Sequence, residues 1–265
     1  MAGSVDATEV IVAASREEAV DAFGDGDGVT VVAGGTIVMP EITHGRLRPT
    51  RALLIGRAGL SGIRRENGAT TIGATTTLTE LSDAVEPLGT CARGVADHEI
   101  RGQATVGGNL CAPPGEESPR GDLQAALLAL DAEVRSTGAG GERSEPVADF
   151  LASGGAGRLV LDVSFGEPEA GATASVRRPH AHAYTILRVC AARSGGAVRV
   201  AVSGAAPTAV RSPAVERALA DGADAEAAAE RVLDDVTPHD DALASAWYRS
   251  TTLPVLVRRA LNDLR

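Results

Sequence analysis

Short apolar runs punctuated by glycine and by acid-rich helical stretches set the rhythm of the first sixty residues. "EVIVAAS" at 9–15 predicts a strand that ends in a helix cap, because Ser15 stands three residues before Glu18 in a capping-box pattern. "REEAVDAF" continues as a short amphipathic helix, and "GDGDG" at 24–28 predicts a turn into the strand "VTVVAG". Strand, helix and strand in so short a stretch predict a parallel βαβ unit, with "RALLIG" at 51–56 as a third parallel strand. Asp25 and Asp27 resemble the opening of a calcium loop, but the later carboxylates of such a loop are missing, and a solvated turn accounts for them.

From residue 60 the pattern changes. "GIRREN-GATTIGA" predicts two strands joined at an Asn67-Gly68 hairpin turn. "TLTELSDAV" predicts a helix opened by the Thr77/Glu80 capping box and closed by Pro87, and "DLQAALLALDA" predicts a helix with Asp122 at its start. "EVRS" and "RSEPVADFL" read as strand and connection, "RLVLDVSF" at 158–165 as a strand, and "GEPEAGATAS" at 166–175 as a linker or long turn. Antiparallel strands follow in "AYTILRVCAAR" and "AVRVAVSGAAPTAVR", then three helices, with Pro254 expected at a break or first-turn position in the last. The fold class predicted is α+β. A mixed or antiparallel region follows the N-terminal βαβ unit, and a smaller α+β domain of antiparallel sheet and helices closes the chain.

Composition narrows the chemistry. A chain of 265 residues, 44% hydrophobic and 23% charged, is long enough to bury a core. Its net charge of −10 argues against nucleic acid or an anionic membrane as partner. The 25 basic residues are all arginine, which removes Walker-type loops, Schiff-base enzymes and pyridoxal phosphate enzymes. The three cysteines, Cys91, Cys111 and Cys190, form no zinc spacing and no disulfide framework and read as small packing residues. A reducing cytoplasm is the expected setting, with no signal peptide and no apolar run long enough to span a membrane. His180 and His182 alternate on one strand face without a third ligand and read as packing residues, while His239, Asp240 and Asp241 read as a helix start.

Two glycine pairs carry the functional signal. Gly34-Gly35-Thr36 follows a predicted strand, and Gly107-Gly108-Asn109 follows Thr105. Glycine there lets backbone amides approach a ligand without a Cβ in the way, and a phosphate held by amides needs no lysine. Tight turns at strand ends account for the same residues equally well. The spacing of "GRAGLSG" does not satisfy a dinucleotide fingerprint.

Together "VVAGGTIVMP" and "IRGQATVGGNLCAPPGEESPRGDLQAALLALDAEV" resemble the flavin-binding subunit of molybdenum hydroxylases, the xanthine dehydrogenase, carbon monoxide dehydrogenase and aldehyde oxidoreductase enzymes. "DDALASAWYRSTTLPVLVRRAL" resembles that family's closing helix, so the likeness spans nearly the whole chain. The resemblance implies a two-subdomain PCMH-like FAD-binding domain over 1–170, with subdomains of about 1–56 and 57–170, and a C-terminal flavoprotein domain over 171–265. It implies FAD as cofactor, with Ala33, Gly34, Gly35, Thr36, Ile37 and Val38 in the first turn and Thr105, Gly107, Gly108, Asn109 and Leu110 in the second embracing the diphosphate. Ile100 belongs to the same cofactor-binding set, in the triplet before the second turn. Asp122 matches an acid that contacts the adenosine part, with a plain helix N-cap as its other reading. Leu161 matches a residue near the flavin ring, and Arg177 or Arg178 a lysine near the cofactor.

The sequence departs from the family pattern at Ile37, where many members have Asp, Ser or Glu, at Gly102 in place of Asn, and at Val95 in place of an aromatic. The loop "CAPPGEESPRG" is also longer than usual. The function implied is an FAD-binding oxidoreductase subunit. Its expected partners are a molybdopterin-binding large subunit and a [2Fe-2S] small subunit, with NAD or another electron acceptor. No residue of this chain is nominated as a catalytic acid, base or nucleophile. A non-catalytic interaction subunit and a stand-alone FAD oxidoreductase remain the alternatives.

Overall fold

A computed structural model describes residues 8–113, 121–177 and 184–264. His180, His182 and Arg178, and most of the proline-rich loop, lie outside the described residues.

The N-terminal unit is built as the pattern predicts, with one difference of order. Strands β1 (Glu9–Val12) and β2 (Val29–Val32) both run parallel to β3 (Arg51–Leu54), which lies between them in the order β1-β3-β2. The connecting helix α1 (Arg16–Phe23) starts at Ser15, whose side chain accepts from the Glu18 amide, while the Glu18 carboxylate accepts from the Ala14 amide at 2.8 Å. A second helix, α2 (Val38–Thr43), follows the first glycine turn and was not legible in "TIVMP", where Pro40 interrupts any apolar period. The "GDGDG" segment is a turn in which the Asp25 carboxylate accepts from the Asp27 amide.

The middle unit is a five-stranded, wholly antiparallel sheet in the order β4-β5-β8-β6-β7. Strands β4 (Ile63–Glu66) and β5 (Ala69–Gly73) meet at Asn67 and Gly68, whose φ angles of 53° and 76° are those of a hairpin turn. The capping box at Thr77 and Glu80 forms in both directions, but it opens only a 3-10 turn over Glu80–Asp83. The chain then passes a cis Glu86-Pro87 bond and begins a new helix, α3 (Leu88–Arg93), so Pro87 separates two helical pieces instead of ending one. Helices α4 (His98–Arg101), α5 (Val106–Leu110) and α6 (Gln124–Ala129) follow, then β6 (Glu133–Gly138), β7 (Arg143–Pro146), α7 (Val147–Ala152) and β8 (Arg158–Gly166).

Strand β8 joins the two units, because its two faces pack in different cores. Leu159 and Leu161 face Phe23, Leu53 and Ile55 of the N-terminal unit, while Val160, Val163 and Phe165 face the core around α6. A bulge produces this double docking: Arg135 pairs with Asp162 and Ser136 with Val160, so Leu161 has no partner on β6. The alternation inverts there, and Leu161 and Val163 meet different cores.

The expected linker at 166–175 is instead mostly strand. β9 (Ala170–Arg177) pairs antiparallel with β10 (Thr185–Ser194), burying Ala172 and Ala174. Its Ala/Gly content reads as flexible, yet Gly171 is needed for a close approach: a Cβ there would lie 2.0 Å from the Glu86 carbonyl oxygen. With β11 (Ala197–Ser203) and β12 (Val210–Arg211) these strands form the third sheet, in the order β12-β11-β10-β9. Helices α8 (Pro213–Ala220), α9 (Ala225–Ala229) and α10 (Ala246–Asp263) complete the unit. α10 runs unbroken through Pro254, because buried Leu253, Leu256 and Val257 hold both halves on the sheet. His239 and Asp241 precede α10 by several residues. Asp240 accepts from the Ala246 amide, and Asp241 forms a two-point ion pair with buried Arg249.

Candidate functional site

Between the N-terminal unit and the middle unit lies a cleft of about 540 Å³. One wall is the first glycine turn and the start of α2, from Ala33 to Val38. The other is built from the segment 94–97, Ile100, the start of α5 and Asp122. The cleft thus brings together Ala33, Gly34, Gly35, Thr36, Ile37, Val38, Ile100, Thr105, Gly107, Gly108, Asn109 and Asp122. Ile37 and Val95, the two departures from the family pattern, both line it. Three predicted residues stand elsewhere: Leu110 and Leu161 are core side chains, and Arg177 ends β9 outside the lining.

The two glycine turns meet directly, and their glycines serve chain packing first. A Cβ on Gly34 would fall 1.7 Å from the Gln103 carbonyl oxygen, so the first turn rests backbone to backbone on the approach to α5. Gly35 holds φ at 74°, a left-handed conformation that only glycine adopts without strain. Gly107 presses on Ala74, its absent Cβ 3.0 Å from that residue's own.

The amides of the two turns differ. Among the described residues, the backbone N–H groups of Gly34, Gly35, Thr36 and Ile37 have no protein acceptor. In the second turn every amide from 106 to 109 is bonded: Val106 to Thr76 O, Gly107 to Ala74 O, Gly108 to Thr105 Oγ1 and Asn109 to Thr105 O. "ATVGGNL" is therefore the N-terminal turn of a short helix capped by Thr105, not a strand end with free donors. A run of successive unbonded amides in a concave wall is the arrangement that receives phosphate oxygens.

Asn109 and Asp122 work as neighbours. The Asn109 side-chain oxygen accepts from the Leu123 amide at 2.8 Å, fixing the entrance to α6 beside the cleft. Asp122 does not cap that helix; its Oδ1 lies 3.1 Å from Nη2 of Arg188 on β10, and both side chains are buried. Burial leaves the Asp122 carboxyl above its usual value, although the Arg188 charge and the Thr185 hydroxyl pull it back part of the way.

The sequence did not single out several other lining residues, including Thr185, Arg158 and Tyr184. Arg158 is a strut whose guanidinium binds the Ser136 and Gly141 carbonyls. Tyr184 is the only aromatic side chain in the lining among the described residues. The one available signal was its rarity, since the chain has only two tyrosines.

This fold and cleft define a flavin-binding subunit of the molybdenum hydroxylase type. The chain belongs to the family of the FAD binding domain in molybdopterin dehydrogenase, whose family model matches residues 6–165, and the CO dehydrogenase flavoprotein C-terminal domain matches 173–264. The chain is 29% identical over 278 residues to the 6-hydroxypseudooxynicotine dehydrogenase complex subunit alpha of Paenarthrobacter nicotinovorans, covering 96% of this chain and 93% of that one. It is 28% identical to the carbon monoxide dehydrogenase medium chain of Hydrogenophaga pseudoflava, covering 92% of each. The solved carbon monoxide dehydrogenase of Hydrogenophaga pseudoflava superposes on it with a TM-score of 0.83 at 25% identity, over 97% of this chain and 96% of that one. The family's cofactor is FAD, and the residues present fit it: free amides for a diphosphate, and a buried carboxylate for a hydroxyl or amino donor. Among the described residues no group of His, Cys, Asp and Glu forms a metal site, and no helix is long and apolar enough to cross a membrane.

Proposed function

We propose that this chain is the FAD-carrying electron-transfer subunit of a molybdenum-containing hydroxylase or dehydrogenase. It would take electrons from iron–sulfur clusters of a small partner subunit, fed by a molybdopterin-binding large subunit, and deliver them to NAD or another acceptor. The names of the relatives support the subunit role, since one is a complex subunit and another a medium chain. A cytoplasmic setting belongs to the same reading. So does the division into an FAD-binding domain over 1–170 and a C-terminal domain over 171–265, supported by the two family models meeting between 165 and 173.

The observation that carries the binding role is the run of unbonded amides from Gly34 to Ile37. In this reading they hold the diphosphate, and Thr105, Gly108 and Asn109 form the opposite wall by shape. Asp122 accepts from the adenosine half. Because the amide contacts come from backbone, Ile37 costs nothing there: its amide donates whatever its side chain is. The bound flavin supplies the redox chemistry, and the protein binds it, orients it and excludes water. An interaction subunit that has lost its cofactor has no need of a donor run without acceptors, which favours the binding reading.

The test is the visible spectrum of the purified protein and of the protein after addition of FAD. Flavin absorbance, with FAD released on denaturation, is the expected result; a colourless protein that ignores added FAD overturns the reading. Co-purification with molybdopterin and [2Fe-2S] chains tests the partners, and a flavoprotein that never associates with them favours the stand-alone enzyme.

A further inference from the structure

Arg188 is a costly residue to bury where it stands. It is 2% exposed in the middle of β10, and its Nε and Nη1 atoms have no hydrogen-bond acceptor among the described residues. Its Nη2 lies 3.1 Å from Asp122 Oδ1 and donates to Thr185 Oγ1 at 3.0 Å. A buried ion pair of this kind is seldom better for stability than well-packed apolar side chains of the same volume. Stability therefore does not explain it. Its surroundings do: Asp122 and Thr185 line the cleft, while Arg188 stands behind them. Gly94, also in the lining, is packed so closely that a Cβ would lie 3.0 Å from Arg188 Nη2.

We propose that Arg188 is a positioning residue for the cofactor: from behind the cleft wall its guanidinium, 3.1 Å from Oδ1, holds Asp122 ionised beside the cleft. There the carboxylate, whose Oδ1 has no hydrogen-bond partner among the described residues, accepts from a hydroxyl or amino donor of the adenosine half of FAD. This rests on the reading of the cleft as the FAD site. A carboxylic acid in so buried a place is neutral unless a cation faces it, and a protonated acid loses acceptor capacity. Arg188 is that cation. The titratable groups that share the cluster are Cys91 on α3 and Cys190 on β10. Burial raises the Cys91 thiol, but Cys190 and Arg188 lower it further, to about 7, so Cys91 titrates in the range to be measured.

The experiment is FAD affinity of the full chain, by flavin fluorescence, between about pH 6 and 9, in wild type, R188M, R188K, D122N and the double variant R188M/D122N. All are compared in a C91S background to remove the thiol. Loss of one charge-assisted hydrogen bond corresponds to roughly a tenfold or greater fall in affinity. R188M is expected to show that fall at neutral pH and to recover as pH rises and Asp122 ionises. Wild type and R188K stay flat over the same range, and R188M adds little once Asp122 is Asn. R188Q, neutral but polar, is the second variant if R188M does not fold, with the same expectation. An R188M or R188Q protein that binds like wild type, a flat pH profile, or an equal loss in the D122N background overturns the proposal. Failure of wild type itself to bind FAD overturns the reading of the cleft instead, so the two failures are distinct.

Discussion

Gly34 and the Gln103 carbonyl are in backbone contact, with room for a hydrogen and no more: a Cβ at Gly34 would stand 1.7 Å from that oxygen. This contact joins the N-terminal unit to the segment that leads into α5, and so sets the width of the cleft.

Replacing Gly34 by Ala forces one of two backbones to move. The expected result is destabilisation of at least about 1–3 kcal/mol, as for other overpacked sites, together with loss of FAD binding. Gly108→Ala is the comparison, because there the new Cβ meets only Thr105 Oγ1 at 3.0 Å. Thermal unfolding and flavin titration of the two variants check the difference, and equal effects contradict this account of Gly34.

Asn109→Ala removes the acceptor of the Leu123 amide in a buried place. A buried amide left without a partner costs about 1–3 kcal/mol. Because Leu123 follows Asp122 directly, FAD affinity is expected to fall along with denaturant stability, whereas a cap removed far from the cleft lowers stability alone.

Arg249→Met breaks the pair with Asp241 beneath the start of α10, where Arg249 is 1% exposed and also donates to the His239 and Ala244 carbonyls. Breaking a buried pair from one side costs about 3–5 kcal/mol. Burial raises the Asp241 carboxyl, but the Arg249 hydrogen bonds and charge, with the Ala244 and Leu243 amides, bring it below the usual value. Its folded-state pKa is depressed, so its contribution is complete above the unfolded value of about 4 and is lost as pH falls through the folded value. Acid titration of stability is expected to show a shallower fall below about pH 4 in Asp241→Asn than in wild type.

Cys91 and Cys190 have their sulfurs 3.4 Å apart and no exposed surface. Cys190 and Arg188 bring the Cys91 thiol down to about 7, which favours reaction, but burial denies a reagent access. Access decides: both thiols are expected to resist a thiol-specific reagent in the native protein and to titrate on unfolding. Rapid native labelling of either, mapped by mass spectrometry, counts against this packing.

Much of the architecture is legible in local residue patterns. The Ser15 and Thr77 caps, the Asn67-Gly68 hairpin and the strand at 158–165 follow from side chains that act within a few residues of themselves. The two glycine motifs and the FAD assignment follow from a resemblance carried by the order of residues along the chain. Where composition misleads, the reason is also local. The alanine and glycine of 170–177 resemble a linker because small side chains carry little burial signal, yet smallness is what lets β9 pack against the chain at Glu86.

The tertiary structure alone decided which amides of the cleft are free. Those of Gly34 to Ile37 lie between a strand end and α2 with no acceptor among the described residues, while Ala74 and Thr76, some thirty residues earlier, consume the Gly107 and Val106 donors. It also decided that Asp122 meets Arg188 instead of capping its own helix. Side-chain periodicity encodes which face of an element is buried. It does not encode what that face meets, because the partner arrives from a distant part of the chain and only the fold brings it there.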